Sequence, residues 1–250
     1  RNIERFSIPS ITFADGSAGI GYSAIPGVRD KNIGWPRAAA MACIWNKELL
    51  REFAVEMGKA MLDINVDVWL APSINLHRNP LGGRGNEYYS EDPILSGLVA
   101  SVVAEGVAES GVTVCLKHFA GNDQEYYRRG VINDTTEQNG TSRDAINVIA
   151  TERTLREIYL KPFEMAVKTG KVMNVMSAFN KINGQYCASN EGLLTDILRG
   201  EWGFQGFVVT DWGDYDVLAH EGHALAAGND LNMPGGHSRY WITNKYRESL

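Results

Sequence analysis

Cysteine is scarce in this chain: three in 250 residues, Cys43, Cys115 and Cys187, odd in number and widely spaced. That set argues against a disulfide framework and suits small, buried free thiols. An excess of basic charge is also lacking, because 24 Lys and Arg stand against 30 Asp and Glu for a net charge of −6. A basic surface for nucleic acid is therefore not expected. No apolar run suits a bilayer: the longest, Ile94 to Leu116, is interrupted by Glu105 and Glu109 and carries Gly97, Gly106 and Gly111. Low-complexity tracts, short repeats and Ser/Pro linkers are missing. The chain starts at Arg1 without a basic-then-apolar leader, so the sequence assigns no compartment.

What is present is the composition of a folded chain, 44% hydrophobic and 22% charged. A chain this long buries roughly 70 to 75% of its unfolded surface, and a barrel of about 250 residues forms one domain. Residues 47–64 place Leu49, Leu50, Phe53, Met57, Met61 and Ile64 on one helical face, and a strand follows over Val66 to Leu70. Asp92 and Pro93 are the N-cap and first residue of the next helix, Gly111 its stop, and Val112 to Leu116 the next strand. A third helix runs from Thr151 to Gly170 with a kink expected at Pro162, before a strand over Val172 to Met176. A fourth runs from Asn190 to Gly200, before a strand over residues 206–210. With Ser10 to Ala14, Ala38 to Ile44 and Leu225 to Met233 the strands number about seven, alternating with helices. The expected fold is α/β, a single (β/α)8 TIM-like barrel over residues 1–250, incomplete at its termini. A doubly wound sheet is the competing architecture, but no Gly-rich phosphate loop follows the first strand. Residues 125–143 are expected to be a long surface loop.

In such a barrel the chemistry sits where the strands end, and here the apolar runs end in reactive residues. The first ends in Asp15-Gly16, the run ending at Leu70 leads to Asn75, His77 and Arg84, the next ends in Lys117-His118, and the one from Phe207 ends in Asp211-Trp212. A lone Asp-Gly is most simply a capped turn, but the set together makes a rim of carboxylates, cations and an aromatic. Asp211 beside Trp212 is a rigid carboxylate against a flat ring, an arrangement suited to sugars. Arg84, His118 and Arg128 add donors that read hydroxyls. Lys117 alone would also suit a Schiff-base aldolase.

The stretches GGRGNEYYSEDP (82–93), CLKHFAGNDQEYYRRG (115–130), MSAFNKINGQYCASNEGLLTDILRGEWGFQGFVVTDW (176–212) and AGNDLNMPG (227–235) resemble glycoside hydrolase family three, in its β-glucosidase and β-xylosidase branch. The resemblance runs from about Pro9 to Gly235. It implies a retaining exo-glycosidase in which Asp211 attacks the anomeric carbon and forms a covalent glycosyl intermediate. It also implies that Asp15 binds far-side hydroxyls, that Arg84, Lys117, His118 and Arg128 are further hydroxyl donors, and that Trp212 and Met176 border the pocket. The substrate implied is a small β-glucoside or oligosaccharide, with no cofactor, no metal and neither a nucleic acid nor a membrane as partner. The acid/base Glu would come from an α/β sandwich domain outside this chain.

Three departures stand out. Phe179 occupies a place where the family often has Tyr, the loop from Asp15 to Gly21 lacks an Arg common there, and the helix usual before the first strand is missing. Glu87, Glu91 and Glu125 each lie near an Arg and read as ion-pair partners rather than as the acid. The N-acetylglucosaminidase branch is disfavoured because its Lys-His-Phe-Pro-Gly-His-Gly motif is replaced by Lys117-His118-Phe119-Ala120-Gly121-Asn122-Asp123. His220 and His223 are three apart without a third ligand, and the glycosylation patterns at Asn133 and Asn139 are weak signals. A β-xylosidase and a non-catalytic sugar-binding barrel remain open.

Overall fold

A computed structural model describes residues 4–21, 33–130, 144–213 and 223–233. In chain order it contains β1 (Phe13–Asp15), α1 (Ala38–Ala42), α2 (Lys47–Asp63), β2 (Val68–Leu70), α3 (Pro93–Ala108) and β3 (Thr113–Phe119). Then come β4 (Asn147–Val148), α4 (Glu152–Thr154), a π-helical turn (Leu155–Tyr159), α5 (Lys161–Val167), β5 (Asn174–Ser177), β6 (Lys181–Ile182) and β7 (Gln185–Tyr186). A π-helix (Gly192–Glu201), β8 (Phe207–Val209) and a short helix (His223–Ala226) complete it.

Five strands form one parallel sheet in the order β1-β2-β3-β5-β8. A parallel bridge from Val209 to Leu231 continues the same progression beyond β8. Strand order follows chain order without reversing, whereas a doubly wound sheet has a switch point where the order turns back. The result is an α/β fold with a parallel sheet, and pairing that would close it is not among the described contacts. Strands β4, β6 and β7 form a separate small sheet.

Alternation along each strand separates two faces. Ala14, Trp69, Val114, Leu116, Val175 and Val208 belong to the large core shared with the helices. Val68, Leu70, Cys115, Met176 and Val209 pack on the other face with Met233, Phe13 and Phe207. Helix α2 is capped by Asn46, whose side chain accepts from the Leu49 N–H at 2.9 Å, and buries Leu50, Ala54, Met57, Gly58 and Met61. Leu49 itself faces outward. Helix α3 begins as expected, with the Asp92 carboxylate accepting from the Ile94 and Leu95 N–H groups and Pro93 in its first turn. It packs against α2 closely at Gly106, where a Cβ would stand 2.6 Å from the Ala54 Cβ and 3.0 Å from the Arg51 carbonyl oxygen.

The structure corrects several expectations. Residues 38–42 are helical, not a strand, because consecutive alanines favour helix and no β-branched residue intervenes before Ile44. Of the late run, the stretch from Asp230 to Met233 bonds along β8 and its extension, with a bridge at Leu231; its start belongs to the helix His223–Ala226, which ends before Gly228 at φ +111°. The kink expected at Pro162 is a widened turn just before it, where the Leu160 N–H donates to the Leu155 carbonyl at 2.8 Å. Cys115 and Cys187 are buried, but Cys43, following α1, is exposed. Residues 131–143, with Asn133 and Asn139, lie outside the described residues, as do His220 and the side chain of His223. Among the described residues no helix is long and apolar enough to cross a membrane.

Candidate active site

The period of two that places Phe13, Cys115 and Val209 on one face carries Asp15, Lys117 and Asp211 to that same side at the carboxyl ends of β1, β3 and β8. The Lys117 ammonium, almost wholly buried, donates to Asp15 Oδ1 at 2.6 Å. Asp15 stands open at the mouth. Surrounding protein acts to raise its carboxyl, but the charge and hydrogen bond of Lys117, the Gly16 N–H and the charge of Arg84 hold it below the usual range. Gly16 turns the chain at φ +129°, so tightly against Gly19 that a side chain has no room.

Asp211 is 7% exposed and uses both oxygens. Oδ1 accepts from the Trp212 N–H at 2.7 Å, and Oδ2 accepts from Arg128 Nη1 at 3.1 Å and faces His118 Nε2 at 3.6 Å. Burial raises this carboxyl above the ordinary value; Arg128, the Trp212 N–H, Lys117 and Arg84 pull it back only in part. His118 is driven far below its usual value, first by burial and then by Arg84, Lys117 and Arg128, so its imidazole is neutral at neutral pH. Asn75 fixes it from β2's side, accepting from the His118 backbone N–H at 2.8 Å and donating to its carbonyl at 2.9 Å.

A frame of ion pairs surrounds these groups. Arg84 donates from Nε and Nη2 to the two oxygens of Glu87 at 2.9 and 2.7 Å, and Ser73 donates to Glu87 at 3.2 Å. Burial would raise Glu87, but Arg84 holds it below the usual range. Glu125 lies 3.0 Å from Arg128 Nε and 3.7 Å from Arg84 Nη1. The Arg128 guanidinium lies 4.7 Å from the Phe179 ring centroid, and that of Arg129 5.4 Å.

Of the residues singled out from the sequence, Asp15, Arg84, Lys117, His118, Arg128, Asp211 and Trp212 thus lie at one rim, linked by contacts or by charge. Trp212 is partly exposed there, at 38%. Met176 is 2% exposed and sits in the apolar cluster below, as floor rather than rim. The Lys117–Asp15 contact is an ion pair, not the free amine an aldolase needs. Glu87 and Glu125 are ion-paired, whereas Glu91 is exposed and makes no ion pair with Arg84. Asn75, which the sequence places after the strand ending at Leu70, has a larger part than its position alone shows: it holds the His118 backbone rather than facing the mouth. Among the described residues, no group of three or more His, Cys, Asp or Glu is placed to hold a metal ion.

Comparison with known proteins adds three findings. Residues 4–241 match the model of the glycosyl hydrolase family 3 N-terminal domain. The chain is 41% identical over 249 residues to thermostable β-glucosidase B of Acetivibrio thermocellus, covering 97% of this chain and 30% of that protein. Among solved structures, β-glucosidase 3B of Thermotoga neapolitana in complex with glucose superposes with a TM-score of 0.81 at 43% identity, over 98% of this chain and 32% of the other. The β-glucosidase of Kluyveromyces marxianus in complex with glucose gives 0.84 at 34% identity, over 100% and 28%. The chain therefore spans under a third of each of these relatives.

Proposed function

This chain belongs to glycosyl hydrolase family 3, and on that premise we propose that the protein carrying it is a retaining exo-β-glucosidase with Asp211 as nucleophile. The parallel run of strands is then the greater part of a (β/α)8 barrel, with the rim as the glucose site. The observation that carries the reading is the Asp211 carboxylate: buried at a strand end, with Arg128 at 3.1 Å and the Trp212 N–H at 2.7 Å holding both oxygens in place. The two relatives crystallised with glucose support the choice of sugar.

In the first step an Asp211 oxygen bonds to carbon one of the sugar while the glycosidic bond breaks, and an acid on another domain protonates the leaving oxygen. That acid is a carboxyl group outside this chain, about 5 to 5.5 Å from Asp211 as retaining enzymes require. Water then attacks carbon one, giving its proton to the same carboxylate, and Asp211 is released. Asp15 accepts from sugar hydroxyls, while Lys117, Arg84 and Arg128 donate to them. Neutral His118 stands with Nε2 3.6 Å from Asp211 Oδ2 and adds no charge there. Trp212 offers the apolar wall.

The test is covalent labelling of the whole natural protein with 2,4-dinitrophenyl 2-deoxy-2-fluoro-β-D-glucoside, whose leaving group needs little protonation. The expected mass lies on the peptide holding Asp211. A label on another carboxylate refutes the assignment; faster labelling by the xylose analogue makes the protein a β-xylosidase; no label, with glucose still bound, makes it a sugar-binding barrel.

A further inference from the structure

The arginine nearest Asp211 is held on three sides. Its Nη1 donates to Asp211 at 3.1 Å, its Nε lies 3.0 Å from a Glu125 oxygen in an ion pair, and its guanidinium carbon lies 4.7 Å from the Phe179 centroid. Phe179 offers a face but no charge, so among the described residues the ion pair on Arg128 away from Asp211 comes from Glu125. The same Glu125 oxygen lies 3.7 Å from Arg84 Nη1, the remaining side of a guanidinium whose Nε and Nη2 are taken by Glu87. Glu125 is itself anchored: its N–H donates to the Gly82 carbonyl at 2.7 Å, and its own carbonyl accepts from the Arg128 N–H at 3.3 Å. At Gly83 a Cβ would stand 2.9 Å from the Glu125 Cβ, so glycine keeps that approach open. One carboxylate thus joins the loop after β2 to the loop after β3 and separates two cations that would otherwise repel. Its side chain is 48% exposed, and ion pairs that open to water add little to stability. Their effect is to be sought in the placement of Arg128.

We infer that Glu125 is a positioning residue of the glucose site, holding the Arg128 guanidinium between Asp211 and Phe179 and tying it to the loop that carries Arg84. The inference rests on the glucose reading above. It is tested with Glu125→Ala, Glu125→Gln and Arg128→Met in the whole protein, measuring glucose affinity by calorimetry and the acidic limb of kcat/KM on an aryl β-glucoside. Glu125→Gln keeps an acceptor for Nε; Glu125→Ala keeps none. Glu125→Ala is expected to weaken glucose binding about 10- to 30-fold, the loss of one charge-assisted hydrogen bond from a displaced Arg128 to the sugar. It should also move the acidic limb to higher pH, in the direction of Arg128→Met, because a loosened Arg128 stabilises the ionised form of Asp211 less well. His118, Lys117, Arg84 and the Trp212 N–H, the other groups acting on Asp211, are not themselves substituted. Glu125→Gln should recover most of the affinity and keep the limb near that of the parent. Unchanged affinity and limb in Glu125→Ala overturn the inference, as do equal losses in both variants with the limb moving to lower pH, the mark of a bystander charge. Since binding is read apart from turnover, a Glu125→Ala binding deficit in a protein that labels at another carboxylate upholds this inference while refuting Asp211. A parent that binds no glucose overturns both.

Discussion

Replacing Asp123 by Asn should stabilise the protein above about pH 6 and make no difference below about pH 4. Asp123 is largely buried beside the site, where its Oδ1 accepts from the Leu76 N–H at 2.7 Å, next to the Asn75 that clasps His118. Burial raises its carboxyl from 3.8 to about 6, with the Leu76 N–H and the charge of Arg78 acting the other way. Its folded value lies above its unfolded one, so its contribution is fully present below the unfolded value and is lost as pH rises through about 6. A rise of about two units corresponds to at most about 3 kcal/mol, and partial exposure brings the expected gain nearer 1–2 kcal/mol. Asn is nearly isosteric and keeps the acceptor for Leu76, so only the charge is removed. Asp123→Ala removes the acceptor as well, and should cost about 1–3 kcal/mol for the unpaired N–H. The assay is the thermal midpoint of parent and both variants from about pH 4 to pH 8, where each kcal/mol moves it by about 2–4 °C in a domain of this size. An Asn-to-parent difference that is flat with pH, or that grows toward acid, refutes the reasoning.

Asp211→Asn is expected to lower kcat by at least about 1,000-fold while glucose affinity in calorimetry stays within a few-fold; loss of the folded state in its circular dichroism would instead make Asp211 structural. Arg128→Met removes the nearest cation from a carboxyl that burial already raises, so the acidic limb of kcat/KM should move to higher pH. A limb that stays in place contradicts the Arg128–Asp211 geometry. Gly106→Ala drives a methyl into Ala54 and the Arg51 carbonyl of α2. It should cost about 1–3 kcal/mol, read as a lower thermal midpoint, because backbone gives way less readily than a side chain; an unchanged midpoint means the helices are not so close.

How much of this was readable beforehand depended on whether the signal was local. The α2 stripe, the Asp92 cap and the strands that carry Asp15, Lys117 and, two residues beyond β8, Asp211 all follow from residues a few positions apart, because periodicity records which side of one element meets the core. Residues 38–42 are helical where their pattern suggests strand for the same reason: a short apolar run has no period long enough to separate helix from strand. The motifs carried the family resemblance as well. The clasp of Asn75 on His118 joins residues 43 apart, and the Arg128–Asp211 contact joins residues 83 apart. Glu125 was readable as a partner for Arg128, but not for Arg84 across another loop. The sequence by itself determined which side chains stand at the strand ends and which face of each element is apolar. Only the tertiary structure decided which of them touch, since loop paths and the packing of one strand on the next set those distances, and local pattern does not encode them.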